Sequence, residues 1–280
     1  MRTKFAYVGR GVLNLVVVLA VVFGLQPLIR GRVSDTLGLI ALSSVLVVSY
    51  VAGVRWIERR QASELIAAAG FTEFAAGLAL GLALFTTLML LLWMFGAYRP
   101  SGWGSVAPIA GGLLLALLTA ILEEILFRGF LFRLSAKLLG TWGALALTSA
   151  LFGAAHSFNP GATVGSSVAI ALEAGVLLGA AYALTQRLWL PIGLHLGWNF
   201  AEASIFGMSV SGGKTKSSLI AGTLRGRDLL TGGAFGPEAS IAAVAICLAA
   251  ALFLLLRTAR LGRLEPSAWA RIASVQHPPA

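Results

Sequence analysis

Charge is scarce in this 280-residue chain: Asp, Glu, Lys and Arg make up 11% of it, against 58% hydrophobic residues and a mean hydropathy of +0.88. A soluble globular core does not have this composition; a polytopic membrane protein does. Cysteine is nearly absent. The single Cys247 lies in the apolar run 239–256, which excludes an internal disulfide framework and leaves redox chemistry without a partner. It reads as a small buried or lipid-facing residue. The only aspartates, Asp35 and Asp228, stand at or outside the ends of apolar runs, so an intramembrane aspartyl pair is excluded. No His-Glu-x-x-His occurs, which removes that type of zinc helix, and no Gly-x-Ser-Gly offers an intramembrane serine nucleophile. The loop from Gly207 to Thr215 fails the spacing of a phosphate loop, because Gly212 is followed by Gly213 rather than lysine.

What is present is a series of apolar runs. They predict an all-α bundle of about eight transmembrane helices, near 8–29, 35–54, 74–97, 105–134, 141–157, 165–186, 189–209 and 239–256. Backbone groups in lipid must pair internally, and no run alternates as a barrel strand does. The first run follows Met1-Arg-Thr-Lys in the charge order of a signal sequence. It exceeds a normal h-region and lacks a small-x-small cleavage site, so it predicts an uncleaved span. The net charge of +10 is read as Lys and Arg retained beside the membrane; the partners are membrane lipids, not nucleic acid.

Of the 21 Lys and Arg, fourteen fall on the side of the termini: Arg2, Lys4, Arg10, Arg55, Arg59, Arg60, Arg128, Arg133, Lys137, Arg187, Arg257, Arg260, Arg263 and Arg271. Arg30, Arg32, Arg99, Lys214, Lys216, Arg225 and Arg227 make seven on the other. Both termini are therefore expected in the cytoplasm, and the Ala, Gly, Leu and Arg bias points to a bacterial inner membrane.

Three regions are expected: 1–104, N-terminal helices with an amphipathic linker; 105–209, the core; and 210–280, a loop, the last helix and a tail. In the linker, RWIERRQASELIAAAGFTEF predicts an interfacial helix with a solvated charged face. The Gly-, Ser- and Thr-rich loop 210–238 and the tail from Glu265 are expected to be flexible, with His277 solvated. Glycines four apart, Gly77/Gly81, Gly175/Gly179 and Gly193/Gly197, allow close helix packing.

Against this background LTAILEEILFRGFLF, Leu118 to Phe132, stands out. A Glu or Arg at the centre of a lipid-facing span costs about 2.5 to 3.5 kcal/mol, so Glu123, Glu124 and Arg128 must face protein or water. At about 100° per residue, Glu124 and Arg128 share one helix face and can neutralise each other, while Glu123 points elsewhere and stays free. His156 and the pair His195 and Asn199, the latter at i,i+4, supply further polar groups within apolar runs. A hairpin turning near Leu139 and Gly140 puts Glu123 and His156 at one depth, sixteen residues either side. Simple counting sets His195 closer to the cytoplasmic face. Glu202 is expected to mark a helix end, and Glu173 has no evident role.

A carboxylate base, two imidazoles and an amide can activate water, with imidazole or amide holding the developing oxyanion. Equally, His156 and His195 with a carboxylate can hold a divalent metal such as zinc. Spacing does not separate these routes to hydrolysis. A proton-coupled transporter and a non-catalytic immunity or scaffold protein are the readings from other classes.

Glu123-Glu124-x-x-x-Arg128, Phe152-x-x-x-His156 and His195-x-x-x-Asn199, in that order on successive apolar helices, resemble the motifs of the CAAX protease and bacteriocin-processing family, also called the Abi family. The resemblance spans about 104–209. It implies an eight-helix intramembrane endopeptidase with its site open to the cytosol, acting on a membrane-bound or lipid-modified peptide or protein. It further implies that Glu123 activates water with His156, that His195 and Asn199 bind the oxyanion or a metal, and that Arg128 with Glu124 orders the site.

Overall fold

The computed structural model describes residues 2–29, 31–107, 109–215 and 218–268. His277, Arg30, Lys216, Arg271 and the Pro-Pro-Ala end of the tail lie outside the described residues. Six helical stretches are long and apolar enough to cross a membrane. They are α1 (Arg2–Ile29, apolar from Phe5), α2 (Asp35–Trp56), α3 (Gly70–Met94, preceded by two 3-10 turns), the stretch Ile109–His156, the stretch Val164–Thr185, and α10 (Ile241–Arg260).

The stretch Ile109–His156 comprises α4 (Ile109–Glu124), a π turn (Ile125–Phe132) and α5 (Arg133–His156). It folds back at Gly140, whose φ of +72° suits glycine alone among ordinary residues, so it makes two antiparallel rods. The stretch Val164–Thr185 is α6 (Val164–Ile170), a π turn (Ala171–Gly175) and α7 (Val176–Thr185). With α8 (Trp189–Phe200) and its π turn (Ala201–Ile205), the described residues form the expected all-α polytopic membrane bundle of eight rods.

Glycines place α8. A Cβ at Gly77 or Gly81 would collide with the Leu190 or Leu194 carbonyl, and one at Gly193 or Gly197 with that of Phe74 or Leu78. The α3 and α8 backbones thus touch directly, as small residues permit in membranes. Phe85 stacks edge-on against Trp198 further along the same contact.

Two faces result. The face of the chain ends carries residues 57–69, the Gly140 turn and the start of α8. Segment 261–267 is fastened there: Arg263 donates to the Leu184 carbonyl at 2.6 Å, Lys137 pairs with Glu265 at 2.6 Å, and the Thr141 amide donates to the Glu265 carbonyl. The opposite face carries the loops 31–34, 95–107, 157–163 and 206–240. Here β1 (Tyr98–Trp103) pairs antiparallel with β2 (Ile220–Leu224), followed by the short α9 (Asp228–Thr231).

The linker differs from expectation. In place of an interfacial helix, residues 57–69 are a loop and two 3-10 turns, and its acids are buried, Glu58 at 4% and Glu64 at 1% exposure. Arg133 grips Glu58 with two bonds of 2.7 and 2.9 Å, and Arg60 and Asn14 add bonds of 2.8 and 2.9 Å. Glu64 pairs with Arg60 and accepts from Tyr50. The loop 206–240 is likewise tied down, by β2, by the Gly212 amide on the Phe235 carbonyl and by the Ser211 amide on Glu238.

Burial alone would raise the Glu58 carboxyl, but the hydrogen bonds from Arg133, Asn14 and Arg60 outweigh it and hold the group below the ordinary carboxylate range. A depressed folded pKa contributes stability above the unfolded value and loses it as pH falls through the folded one. Thermal stability of the detergent-solubilised protein is therefore expected to decline on acidification below about pH 4.3, the ordinary Glu value. Glu58→Gln should lower Tm at neutral pH and flatten that acid decline, read by thermal scans from pH 3 upwards.

Candidate active site

Glu123 and Glu124 end α4 just before its backbone widens into the π turn, a local device frequent at functional sites. Glu124 is fully buried and its Oε1 serves two partners, Arg128 Nη1 at 2.9 Å and His195 Nδ1 at 2.9 Å. The Arg128 guanidinium, 1% exposed, also donates to the Ala174 and Gly175 carbonyls at 3.2 Å and lies 4.9 Å above the Phe152 ring. These carbonyls belong to the second π turn, so the widened backbone there receives its donors from a side chain. Arg128 is thus an interior group. The expectation that it belongs to the basic rim at the chain ends is corrected.

Phe152 holds the next residue. Its carbonyl takes a hydrogen bond from His156 Nδ1 at 2.8 Å and its ring stacks on the imidazole, centroids 4.5 Å apart. A carbonyl only accepts, so Nδ1 carries the proton and, in the neutral ring, Nε2 is bare. His195 follows the same logic: Nδ1 donates to the Glu124 carboxylate and Nε2 is left bare. Both bare nitrogens face Glu123. Its Oε2 lies 4.0 Å from His156 Nε2 and 3.9 Å from His195 Nε2, and among the described residues no group donates to it.

The six sequence-predicted residues thus lie together. Glu123, His156, His195 and Asn199 line one cavity of about 590 Å³, and Glu124 and Arg128 stand behind its wall. Counting put His195 too near the chain-end face. The reason for the error is that α8 starts already buried: Leu188 is fully buried, its amide donates to the Glu64 carbonyl, and residues 57–69 are folded beneath it.

The cavity exists because α5 stops short. Its last residue, His156, is level with Glu123, whereas α4 extends fourteen residues beyond Glu123 to Ile109, about 21 Å of helix. Gly112, Ala116 and Thr119 of α4 form one wall, Ile170, Ala174 and Leu177 another. The loop residues Asn159, Pro160, Val210, Lys214 and Thr215 ring the mouth, on the face opposite the chain ends.

The residue reading missed a second group. Glu173 and Glu238 line the cavity, and Glu202 lies against Glu238; their exposures are 2%, 2% and 0%. Among the described residues neither oxygen of Glu202 has a hydrogen-bond partner. Burial pushes the Glu238 carboxyl above its ordinary range. Two acids in apolar runs are a visible signal; their meeting through Glu238, in a loop, is not.

Chemically, two bare imidazole nitrogens and one carboxylate make a donor set that suits zinc. Their separations of 3.9 and 4.0 Å are wider than the roughly 3.3 Å between tetrahedral ligands on bonds of about 2.0 Å. Among the described residues no group of three His, Cys, Asp or Glu has metal-binding spacing. The spacing suits an interposed water, which spans about 2.8 Å to each partner.

Comparison with known proteins bears on the same segment. Residues 105–201 match the family described as Rce1-like, type II CAAX prenyl endopeptidase Rce1-like. The match supports the CAAX protease resemblance and, at that level, a membrane-embedded protease. No curated protein and no solved structure matches the chain.

Removing one partner of a buried ion pair strands the other and costs about 3 to 5 kcal/mol. Arg128→Met should therefore lower the Tm of the solubilised protein sharply. Arg128→Lys should fall between, since an ammonium cannot copy the planar fork over two carbonyls and a carboxylate.

Proposed function

We propose that this protein is an intramembrane endopeptidase in which Glu123 is the general base. The observation that carries the reading is the undonated Glu123 Oε2, about equidistant from two bare imidazole nitrogens in a cavity. A water there donates one proton to Glu123 and its second hydrogen bond to His156 or His195 Nε2. Its oxygen bonds to the scissile carbonyl carbon as the proton passes to Glu123. The tetrahedral oxyanion takes the Asn199 amide as donor, because the bare ring nitrogens accept rather than donate. The carbon–nitrogen bond then breaks, Glu123 returns the proton to the leaving amine, and a carboxylic acid and an amine result, the acid then passing its own proton to the amine. Glu124 and Arg128 touch no reacting atom in this scheme; they fix the His195 tautomer.

A divalent ion such as zinc would be held by His156 and His195 with Glu123, and would supply Lewis-acid polarisation of the carbonyl. The wider spacing favours the water reading. Metal analysis decides: the water reading expects no stoichiometric metal in purified wild-type protein, and no loss of cleavage on chelation. A metal lost from His156→Ala and His195→Ala alike would replace it.

The substrate is a membrane-bound polypeptide, one carrying a lipid among the options. Glu123→Gln should retain the fold, seen as an unchanged thermal profile. It should lose about 10²- to 10⁴-fold of the cleavage rate, the usual contribution of a general base. Proteomics of membranes with wild-type or Glu123→Gln protein should show new C-termini that depend on Glu123. Their absence, or a phenotype unaffected by the substitution, counts for the scaffold or transport readings.

A further inference from the structure

Two expectations meet at the cavity and cannot both hold. The charge count places the chain ends in the cytoplasm, whereas the family resemblance opens the site to the cytosol. The mouth lies on the face opposite the chain ends, ringed by Asn159, Pro160 and Lys214.

Arg128, being interior, leaves the count, yet the bias survives. Among the described residues the chain-end face has Arg55 in the last turn of α2, Arg59 and Arg60 after it, Arg187 before α8, and Arg257 and Arg260 at the end of α10, with others beside them. The opposite face has Arg32, Arg99, Lys214, Arg225 and Arg227. Its loops are all shorter than about 60 residues, the range in which the positive-inside rule applies.

We infer that the cavity opens to the extracytoplasmic side and takes a polypeptide segment embedded in that leaflet. The inference rests on the endopeptidase reading for its substrate and on charge and geometry for its direction. Because α5 ends level with Glu123, the loop after it lies at membrane depth, where irregular backbone is tolerated only against protein or a water-filled cavity. Phe158 on this loop and Val164 at the start of α6 are 90% and 84% exposed, and Leu115 on the facing wall is 57% exposed. Large apolar side chains left outward at that depth suit lipid. α4 packs on α2 and α8, while the 164–185 helix packs on α5, α10 and α8, so the two walls share α8 as a floor and face each other across the cavity without forming a packed pair. A chain lying in the leaflet can enter between them without first leaving the bilayer.

Single cysteines introduced into the full chain test this, because native Cys247 is buried and silent to polar reagents. Ser101→Cys and Lys214→Cys on the mouth face, and Arg260→Cys on the other, are treated with a membrane-impermeant maleimide in right-side-out and inverted vesicles. The expected result is labelling of the first two only in right-side-out vesicles and of the third only in inverted ones; the reverse, or a mixed pattern, overturns the direction. Phe158→Cys should react with a lipid-soluble maleimide and resist the impermeant one. Reaction with the impermeant reagent overturns entry from the leaflet. None of these readouts needs catalysis, so they stand or fall apart from the effect of Glu123→Gln.

Discussion

One carboxylate oxygen governs the site. Glu124 Oε1 takes a hydrogen bond from Arg128 on its own rod and another from His195 on α8. In a medium of low polarity such contacts are strong when complete and costly when partial. The second partner converts a local helix pair into a bond between two rods. It also fixes the tautomer of His195, and so decides which ring nitrogen faces Glu123. Had the pair been closed between Glu124 and Arg128 alone, the imidazole would have been free to turn.

The architecture around that bond follows from what a membrane allows. Widened turns at 125–132, 171–175 and 201–205 would leave carbonyls short of donors in lipid. The first two lie against each other with the Arg128 fork between them. The third ends α8 beside the acids Glu202 and Glu238. Regular helix prevails where rods meet lipid, and departures from it gather where side chains or the cavity take over the unsatisfied groups.

How much could be read from residues alone follows from the range of each interaction. The Glu124 and Arg128 pair is an i,i+4 relation on one helix and was fully legible. Glu123 opposite His156 needed only a hairpin of equal arms, and Gly140 marks its turn. The depth of His195 was not legible, since it depends on residues 57–69 folding under α8, an arrangement no local pattern encodes. The same holds for Glu58, whose partner Arg133 is 75 residues away. Read locally, its charges suggest a solvated face; in space they close a buried network. The loop 206–240 has a flexible composition, yet its pairing with β1 across more than a hundred residues orders it over the cavity.

The wall leading to Glu123 shows how packing and chemistry share one helix. Gly112, Ala116, Thr119 and Glu123 succeed one another at spacings of four, three and four along α4, so one stripe runs from the mouth to the carboxylate. At Gly112 the small side is consumed by contact with Ser204 of the third π turn, which a Cβ would strike. At Ala116 and Thr119 it leaves width, and at Glu123 it ends in the acid of the pair that lines the cavity. Large residues along this stripe would close the recess that the early stop of α5 creates. Adjacent glutamates therefore part company by geometry: Glu124 faces rods whose donors converge on its Oε1, and Glu123 faces a path kept open to its end.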